Sequence, residues 1–136
     1  MAGSTPFSIE ESDNFKRSFK KLAKTLGSNF VDLVAEALEG LIDDQYPINS
    51  RHEPLPAKIQ LPEGWRFHKL ELRVGKGASG QVRLMYLVNT TDCVIKLVWI
   101  YNHEQFAKRP VDKDLKSVIK EILDYQPPEF FRESEE

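Results

Sequence analysis

The spacing of hydrophobic residues along the chain changes from helix-like to strand-like and back again. A short stretch at residues 7–10 is suited to a first strand, and apolar side chains then recur at helical spacing through residues 15–26. Ser12 is a residue type that caps the start of a helix, and Gly27 is one that ends it. The pattern therefore predicts a helix between them, with Ser28 as the cap of the next helix.

A second helix is predicted from apolar positions between Val31 and Ile42 that share one face. Pro47 stops this helix, because proline disfavours a helical residue before it. The two helices form an αα-hairpin with a common apolar face. Four prolines within residues 47–64 then predict an extended loop.

From Trp65 onward the pattern is typical of strands, which we expect near residues 66–74, 82–89 and 93–101. The last two are apolar on both faces, as central strands covered on two sides are. The turn at residues 89–92 has the composition of a hairpin connection, so these two strands are expected to pair.

A final amphipathic helix is predicted over residues 115–123, with Asp112 or Asp114 as its cap. Helices, then strands, then a helix indicate an α+β fold. We expect a single domain with its core at about residues 5–124, followed by a flexible acidic tail at residues 125–136.

Length and composition narrow the class of protein. The chain has 136 residues, which suits one domain, and 40% of them are hydrophobic, which is ordinary for a globular protein. No apolar run approaches the roughly 20 residues of a membrane span, and the N-terminus lacks the pattern of a secretory signal. Cys93 is the one cysteine, which excludes an intramolecular disulfide. We therefore expect a cytoplasmic protein that is not bound to a membrane.

Charge is distributed unevenly along the chain. Residues 1–63 carry a net charge of −3, residues 64–111 carry +5 and residues 112–136 carry −4, which sum to the overall −2. A basic segment between acidic ends is suited to an anionic partner, because each phosphate that it neutralises releases counterions. An uneven surface charge without a nucleic-acid partner would look the same in the sequence.

A glycine-rich segment joins the first two of the three predicted central strands. Gly75, Gly77 and Gly80, followed by Lys96 in an apolar strand, are similar to the glycine loop and strand lysine of protein kinases. The chain contains neither the H-R-D catalytic loop nor the D-F-G metal site of a kinase. We therefore interpret residues 75–80 as a flexible connection between strands.

Three residues are candidates for a catalytic or anion-binding role. Arg83 interrupts an apolar strand, and because a buried guanidinium without a partner is costly, it must reach a carboxylate, an edge or an anion site. His103 follows the last strand, at a sheet rim where imidazole can serve as a general acid or base. Glu53 lies in a proline-flanked loop, where it is either a positioned base or a solvated charge.

Several segments together resemble the RelE/ParE superfamily of toxin–antitoxin toxins. Residues 15–22 look like the first helix of the family, and residues 69–73, the glycine loop and residues 83–86 look like its strand–loop–strand core. Residues 100–106 look like the end of its last strand, and residues 113–128 are similar to the YhaV-like branch. The resemblance implies a small twisted antiparallel sheet with an αα-hairpin beside it.

The resemblance also implies an activity. Many members of this superfamily cut mRNA on the ribosome, without a metal or other cofactor, through attack of the ribose 2′-hydroxyl on the neighbouring phosphate. The expected protein is therefore an endoribonuclease toxin that is held inactive by a cognate antitoxin, and mRNA and the ribosome are its other partners.

Site residues follow from the same resemblance. Arg83 and Lys69 match phosphate contacts, His103 matches the acid, and Glu53 resembles the loop carboxylate that is the base in the YoeB-like branch. Further residues are expected to bind RNA, with the aromatic one stacking on a base; they are Arg73, Lys76, Phe106, Lys108 and Arg109.

Two other functions remain open at this point. A non-catalytic relative, or a toxin that poisons gyrase, would act by protein contact alone, and Arg83 would then be paired inside the protein. An unrelated α+β interaction domain would show no basic concave surface.

Overall fold

The computed structural model describes residues 6–124. Two helices, a run of strands and a final helix follow a short first strand, which is the α+β arrangement that the sequence predicted. The helices are α1 (Asp13–Leu26), α2 (Ser28–Asp43) and α3 (Asp112–Asp124). The strands are β1 (Ser8–Glu11), β2 (Ser50–His52), β3 (Trp65–Arg73), β4 (Gln81–Asn89) and β5 (Val94–Asn102). The expected tail lies outside the described residues. No helix within residues 6–124 has both the length and the apolar character needed to cross a bilayer.

The five strands form one sheet in the order β1-β5-β4-β3-β2. The three central strands lie within one residue of their predicted bounds, and the strand predicted at residues 7–10 is β1. The sheet is mixed rather than wholly antiparallel, because β1 runs parallel to β5. This direction brings the end of β1 to the backbone of Leu97, where the Ser12 N–H donates to the Leu97 carbonyl and α1 begins.

Strand β2 is an edge strand that the hydrophobic pattern does not reveal. Its residues are polar and lie in the proline-rich stretch from which a loop was predicted. Backbone pairing with β3 holds it instead. The Asn49 side chain donates to the Glu71 carbonyl at 2.8 Å, and the Glu71 N–H donates to the Asn49 carbonyl at 3.0 Å.

Helices α1 and α2 form the predicted hairpin. The Ser12 hydroxyl accepts the N–H of Phe15 at 3.0 Å, which confirms the predicted cap of α1. Gly27 ends α1 with a φ of 85°, a conformation that glycine adopts without strain. The expectation that Ser28 caps α2 is wrong, because Gly27 occupies the cap position and Ser28 is already helical.

The helical hairpin fills one face of the sheet with apolar side chains. This core contains Phe15, Leu22, Phe30, Val34 and Leu41 from the helices and Leu70, Leu84, Tyr86, Ile95, Leu97 and Ile100 from the sheet. Each of these side chains is 3% exposed or less, so this face is closed to solvent. Burial of these apolar side chains stabilises the folded chain.

Helix α3 covers half of the opposite face. Leu115, Ile119 and Ile122 are buried against sheet residues, as the predicted amphipathic stripe requires. Their partners in the sheet include Phe67, Met85, Leu87 and Val98. The other half of this face is polar.

A β-bulge in β5 decides which residues face α3. Met85 pairs with Trp99 and Tyr86 pairs with Leu97, so Val98 is an extra residue in the ladder. The carbonyl of Val98 accepts hydrogen bonds from the side chains of Ser12 and Asn14, at 3.4 and 3.0 Å, which ties the start of α1 to the bulge.

The bulge changes the alternation of side chains beyond it. Val98 and Tyr101 both lie on the α3 side, although they are an odd number of residues apart, while Ile100 packs against α1 and α2. If Val98 were paired in regular alternation instead of being the extra residue of a bulge, Tyr101 would face the helical hairpin. The bulge therefore directs the end of β5 toward the polar half.

Candidate functional site

The polar half of the sheet combines side chains from four neighbouring strands. Three rows follow from the strand register: Arg51 beside Lys69; Glu71, Arg83 and Tyr101 in line; and Arg73 beside Gln81, next to His103. Side chains directly opposite one another in such rows have Cβ atoms about 4.5–5.5 Å apart. Cations outnumber carboxylates within these rows, so this surface is suited to an anion.

Arg83 lies in the middle of the polar half. Its Nη1 atom is buried and has no hydrogen-bond partner within residues 6–124. Glu71 is its neighbour on β3, yet no carboxylate of the described residues lies within 4.0 Å of the guanidinium. An ion pair inside the protein, the alternative that the sequence left open for Arg83, is therefore not found in the described part of the chain.

His103 lies at the rim of the sheet, as its position after the last strand predicted. Its backbone N–H donates to the Gln81 carbonyl at 2.9 Å, which extends the pairing of β5 with β4 by one residue. Its ring atom Nδ1 is buried and likewise has no partner among residues 6–124. The polar half thus contains two buried nitrogens that make no bond within the described chain.

Glu53 lies beside the polar half and is 4% exposed. Its backbone N–H donates to the Phe67 carbonyl at 2.9 Å, which continues the pairing of β2 with β3. One carboxylate oxygen, Oε1, lies 3.3 Å from Lys69 Nζ, and the other, Oε2, lies 2.9 Å from Arg109 Nη1. Both oxygens of the expected base therefore contact cations.

Arg109 makes further contacts that hold it inside the protein. It donates to the Pro54 carbonyl at 2.6 Å and to Asp112 Oδ1 at 3.0 Å, in addition to Glu53. Burial by itself would lower the pKa of Arg109, but the hydrogen bonds to Glu53 and Asp112 outweigh it and raise the pKa above its ordinary value. We call Glu53, Lys69, Arg109 and Asp112 the Glu53 cluster.

Tyr101 is a central residue of the site that the sequence reasoning did not single out. Its hydroxyl donates to the Lys108 carbonyl at 3.1 Å. Burial raises its pKa, and the nearby Glu53 charge raises it further, while Arg83 and Arg109 oppose the shift. The phenol therefore stays protonated and fixes the segment after β5. Its signal in the sequence was weak, because an aromatic residue in an apolar strand is ordinarily a core residue.

The residues expected to bind RNA have different environments. Arg73 is exposed and Lys76 is exposed in the glycine-rich loop, at the end of the sheet where His103 lies. Lys108 is exposed as well. Phe106 is half-buried, with its ring edge-on to Trp99 and Tyr101 at centroid distances of 6.0 and 5.6 Å.

A concave region lies at the other end of the same side of the sheet, away from the polar half. This cleft of about 520 Å³ runs between β1, the start of α1, and α3. Its lining includes Glu10, Glu11, Asp13 and Glu121, with Lys16 and Lys96. The excess of carboxylates makes it unsuited to a phosphate, in contrast to the polar half.

Known proteins resemble this chain in structure. A free-state structure of an arginine-to-alanine double variant of the E. coli toxin RelE matches with a TM-score of 0.52 and 17% identity, over 87% of this chain and 99% of that chain. RelE–RelB of Pyrococcus horikoshii OT3 matches with a TM-score of 0.43 and 15% identity, over 72% and 96%. RelBE2 of Mycobacterium tuberculosis matches with a TM-score of 0.44 and 13% identity, over 72% and 99%.

In sequence the chain matches no family model, and no curated protein is detectably similar to it. The likeness to E. coli RelE spans nearly all of that protein. The chain therefore has the RelE fold, which confirms the fold that the sequence resemblance implied.

Proposed function

We propose that this protein is the toxin of a toxin–antitoxin pair and an endoribonuclease that cleaves mRNA, on the ribosome and in the cytoplasm. The observation that carries the proposal is Arg83, whose buried Nη1 makes no hydrogen bond within residues 6–124. A buried cationic donor is stabilised by an anion, and the phosphate of an RNA backbone is an anion that a guanidinium can bind through two bonds. The RelE fold supports a toxin over other RNA-binding proteins.

The proposed reaction needs an acid, a base and cations. The ribose 2′-oxygen attacks the adjacent phosphorus as the bond from phosphorus to the 5′-oxygen breaks. The 2′-hydroxyl proton passes to a general base, and the departing 5′-oxygen receives a proton from a general acid. The products are a 2′,3′-cyclic phosphate and a 5′-hydroxyl.

Three residues take named roles in this reaction. Arg83 and Lys69 stabilise the negative charge that develops on the phosphate, and removing such a stabilising contact costs about 10²–10³ in rate. His103 donates a proton to the 5′-oxygen. The buried Nδ1 of His103 and its place at the rim beside Gln81 support this role, because the other ring nitrogen can then be directed outward.

Exposed cations around the polar half would bind the flanking phosphates. Arg73, Lys76 and Lys108 are exposed: Arg73 lies in the row that contains His103, Lys76 lies in the glycine-rich loop that follows β3, and Lys108 lies in the segment bonded to Tyr101. The half-exposed ring of Phe106 would stack on a base. Arg109, whose guanidinium is held by Glu53, Pro54 and Asp112, would act on RNA through the segment that it fixes.

The antitoxin would act by covering the same surface. A helix or strand laid over the polar half would exclude RNA from Arg83 and keep the toxin inactive in a heteromeric complex.

The test is induced expression of the parent chain and of Arg83→Ala, with primer-extension mapping of cellular mRNA. We expect growth arrest and new 5′ ends within reading frames for the parent, and neither for the variant. Arg66→Ala is the matched control, because Arg66 is exposed and lies on the opposite face of β3. Its cleavage pattern should equal that of the parent.

Two results would overturn the proposal. Growth arrest with intact mRNA would indicate a toxin that acts by contact with gyrase or another protein. An Arg83→Ala variant as active as the parent would remove the polar half from the reaction.

A further inference from the structure

Glu53 is a carboxylate that is placed beside the polar half yet has little access to it. It is 4% exposed, and each of its oxygens contacts a different cation, Lys69 Nζ at 3.3 Å and Arg109 Nη1 at 2.9 Å. A general base must come within about 2.6–3.2 Å of the proton that it accepts. A 2′-hydroxyl could reach Glu53 only by displacing one of these cations.

Glu53 and its two cations stabilise one another. The side chains of Lys69 and Arg109 are 16% and 18% exposed, and that of Glu53 is 6% exposed. A mostly buried charge that loses its counter-charge is strongly destabilised and moves toward solvent. Without Glu53, the Lys69 ammonium would therefore leave its place beside the polar half.

Glu53 also fixes the segment between β5 and α3. Arg109 joins Glu53 and Pro54 at one end of the polar half to Asp112, the first residue of α3. The same segment is held by the bond from the Tyr101 hydroxyl to the Lys108 carbonyl. The segment begins at His103, so the Glu53 cluster sets the position of the proposed acid as well as of Lys69.

We infer that Glu53 is a positioning residue: it holds Lys69 at the polar half and, through Arg109, holds the segment that begins at His103. The proton of the 2′-hydroxyl passes to a water molecule of the solvent rather than to the Glu53 carboxylate. This inference rests on the proposed endoribonuclease function and specifies how its site is built.

Glutamine at position 53 separates the two roles. Its amide accepts no proton at neutral pH, and its single oxygen can accept from only one of the two cations, so its NH2 group would face the other. A positioning role predicts that Glu53→Gln lowers the rate of cleavage of a model RNA but leaves the shape of the pH profile the same as that of the parent. A base role predicts a loss of about 10²–10⁴-fold, the contribution of general base catalysis, together with loss of the acidic limb of the profile.

A double variant sharpens the test. If Glu53 acts through Arg109, Arg109→Ala should by itself lower the cleavage rate, and combining it with Glu53→Gln should cost less than the sum of the two losses. A base predicts that the two losses add. Glu63→Gln, which changes an exposed carboxylate before β3, is the matched control and should equal the parent. Additive losses, together with a folded glutamine variant that lacks the acidic limb of the pH profile, would overturn the inference.

A second measurement can be made whether or not the protein cleaves RNA. We expect Glu53→Ala and Arg109→Ala to shift the same NMR signals, those of the amides of residues 103–111 and of the His103 ring. If Glu53→Ala leaves these signals in place, the inference is wrong even where cleavage is lost. If the parent itself cleaves no RNA, the proposed function fails, and the NMR result still decides whether Glu53 positions this segment.

Discussion

The two faces of the sheet are built on different principles. The face under α1 and α2 has an apolar core whose side chains are 3% exposed or less, and polar residues such as Arg66 and His68 lie at its β2 end. The face under α3 is apolar for half its length and then becomes a set of cationic rows. The same strands therefore supply stability on one side and a candidate reaction site on the other.

The change from core to polar surface occurs between adjacent residues. Leu84 is fully buried against the helical hairpin, whereas Arg83 points to the polar half with a buried nitrogen that has no hydrogen-bond partner among residues 6–124. Because side chains alternate along a strand, a central strand can serve both faces at once. The candidate site is thus confined to the part of the sheet that α3 does not cover.

Two histidines, the buried His68 and the half-buried His103, extend this comparison. His68, on the side of the hairpin, lies within aromatic contact of Tyr46, His52 and Tyr86, at ring-centroid distances of 4.6, 5.6 and 5.9 Å. Burial lowers its pKa, and the charges of His52 and Arg66 lower it further. His103 lies on the other face among cations and a tyrosine. We expect substitution of His68 to change the stability of the fold and substitution of His103 to change activity.

Inserting one alanine between Trp99 and Ile100 should have the largest effect on the contrast between the faces. The added residue would reverse the alternation beyond it, so Tyr101 would turn toward α1 and α2, and Ile100 would turn toward the polar half. We expect a chain with no cooperative urea unfolding transition, measured by far-UV circular dichroism. An insertion variant with the stability of the parent would show that the alternation beyond the bulge does not set the faces.

His103→Ala should slow RNA cleavage by about 10²–10⁴-fold, the usual contribution of a general acid. The dependence of the rate on pH should also become flatter. The measurement is the cleavage rate of a model RNA across the neutral range, with His52→Ala as a control on the opposite face. An unchanged pH profile in His103→Ala would remove this residue from the acid role.

Leu84→Ala and Arg83→Ala compare neighbouring residues on opposite faces. Leu84→Ala should lower the free energy of unfolding by about 2–5 kcal/mol, because it leaves a cavity in the core. Arg83→Ala should leave it unchanged within about 0.5 kcal/mol. Urea unfolding of both variants checks this. Equal destabilisation would mean that Arg83 is a structural residue.

His68→Phe should have the smallest effect, visible only in the pH dependence of stability. The unfolded chain binds a proton at His68 near its ordinary pKa of about 6.5, whereas the folded chain, with its lowered pKa, does not. The free energy of unfolding therefore falls as the pH drops through this range, and phenylalanine should reduce that fall. Urea unfolding between about pH 5 and 8 measures it, with Arg17→Ala as an exposed control. An unaltered slope in His68→Phe would contradict the buried neutral state.

Hydrophobic periodicity was sufficient to predict the long helices and strands. Helices α1 and α3 and strands β3, β4 and β5 each carry apolar residues at their own period, and their bounds were predicted closely. Strand β2 was missed, because Ser50, Arg51 and His52 carry no apolar alternation and are held by backbone bonds to β3. The parallel pairing of β1 was missed because the hydrophobic pattern of four residues does not indicate whether a strand runs parallel or antiparallel to its neighbour.

The candidate site was predicted in part. Arg83 and His103 were identifiable because a charge in an apolar strand and a histidine at a strand end are each locally unusual. Tyr101 was not identified, since its role depends on the bulge at Val98. The contacts of Glu53 join residues more than fifty positions apart, and no local pattern reports them.

The sequence by itself determined the helices, the central strands, the α+β class and the resemblance to RelE toxins, because these depend on periodicity and on short segments of chain. Only the tertiary structure decided which side chains share the polar half, because that depends on strand register, on one extra residue in β5 and on where α3 ends its cover of the sheet. It also decided that Glu53 contacts Lys69 and Arg109, because burial and charge pairing are properties of the folded chain.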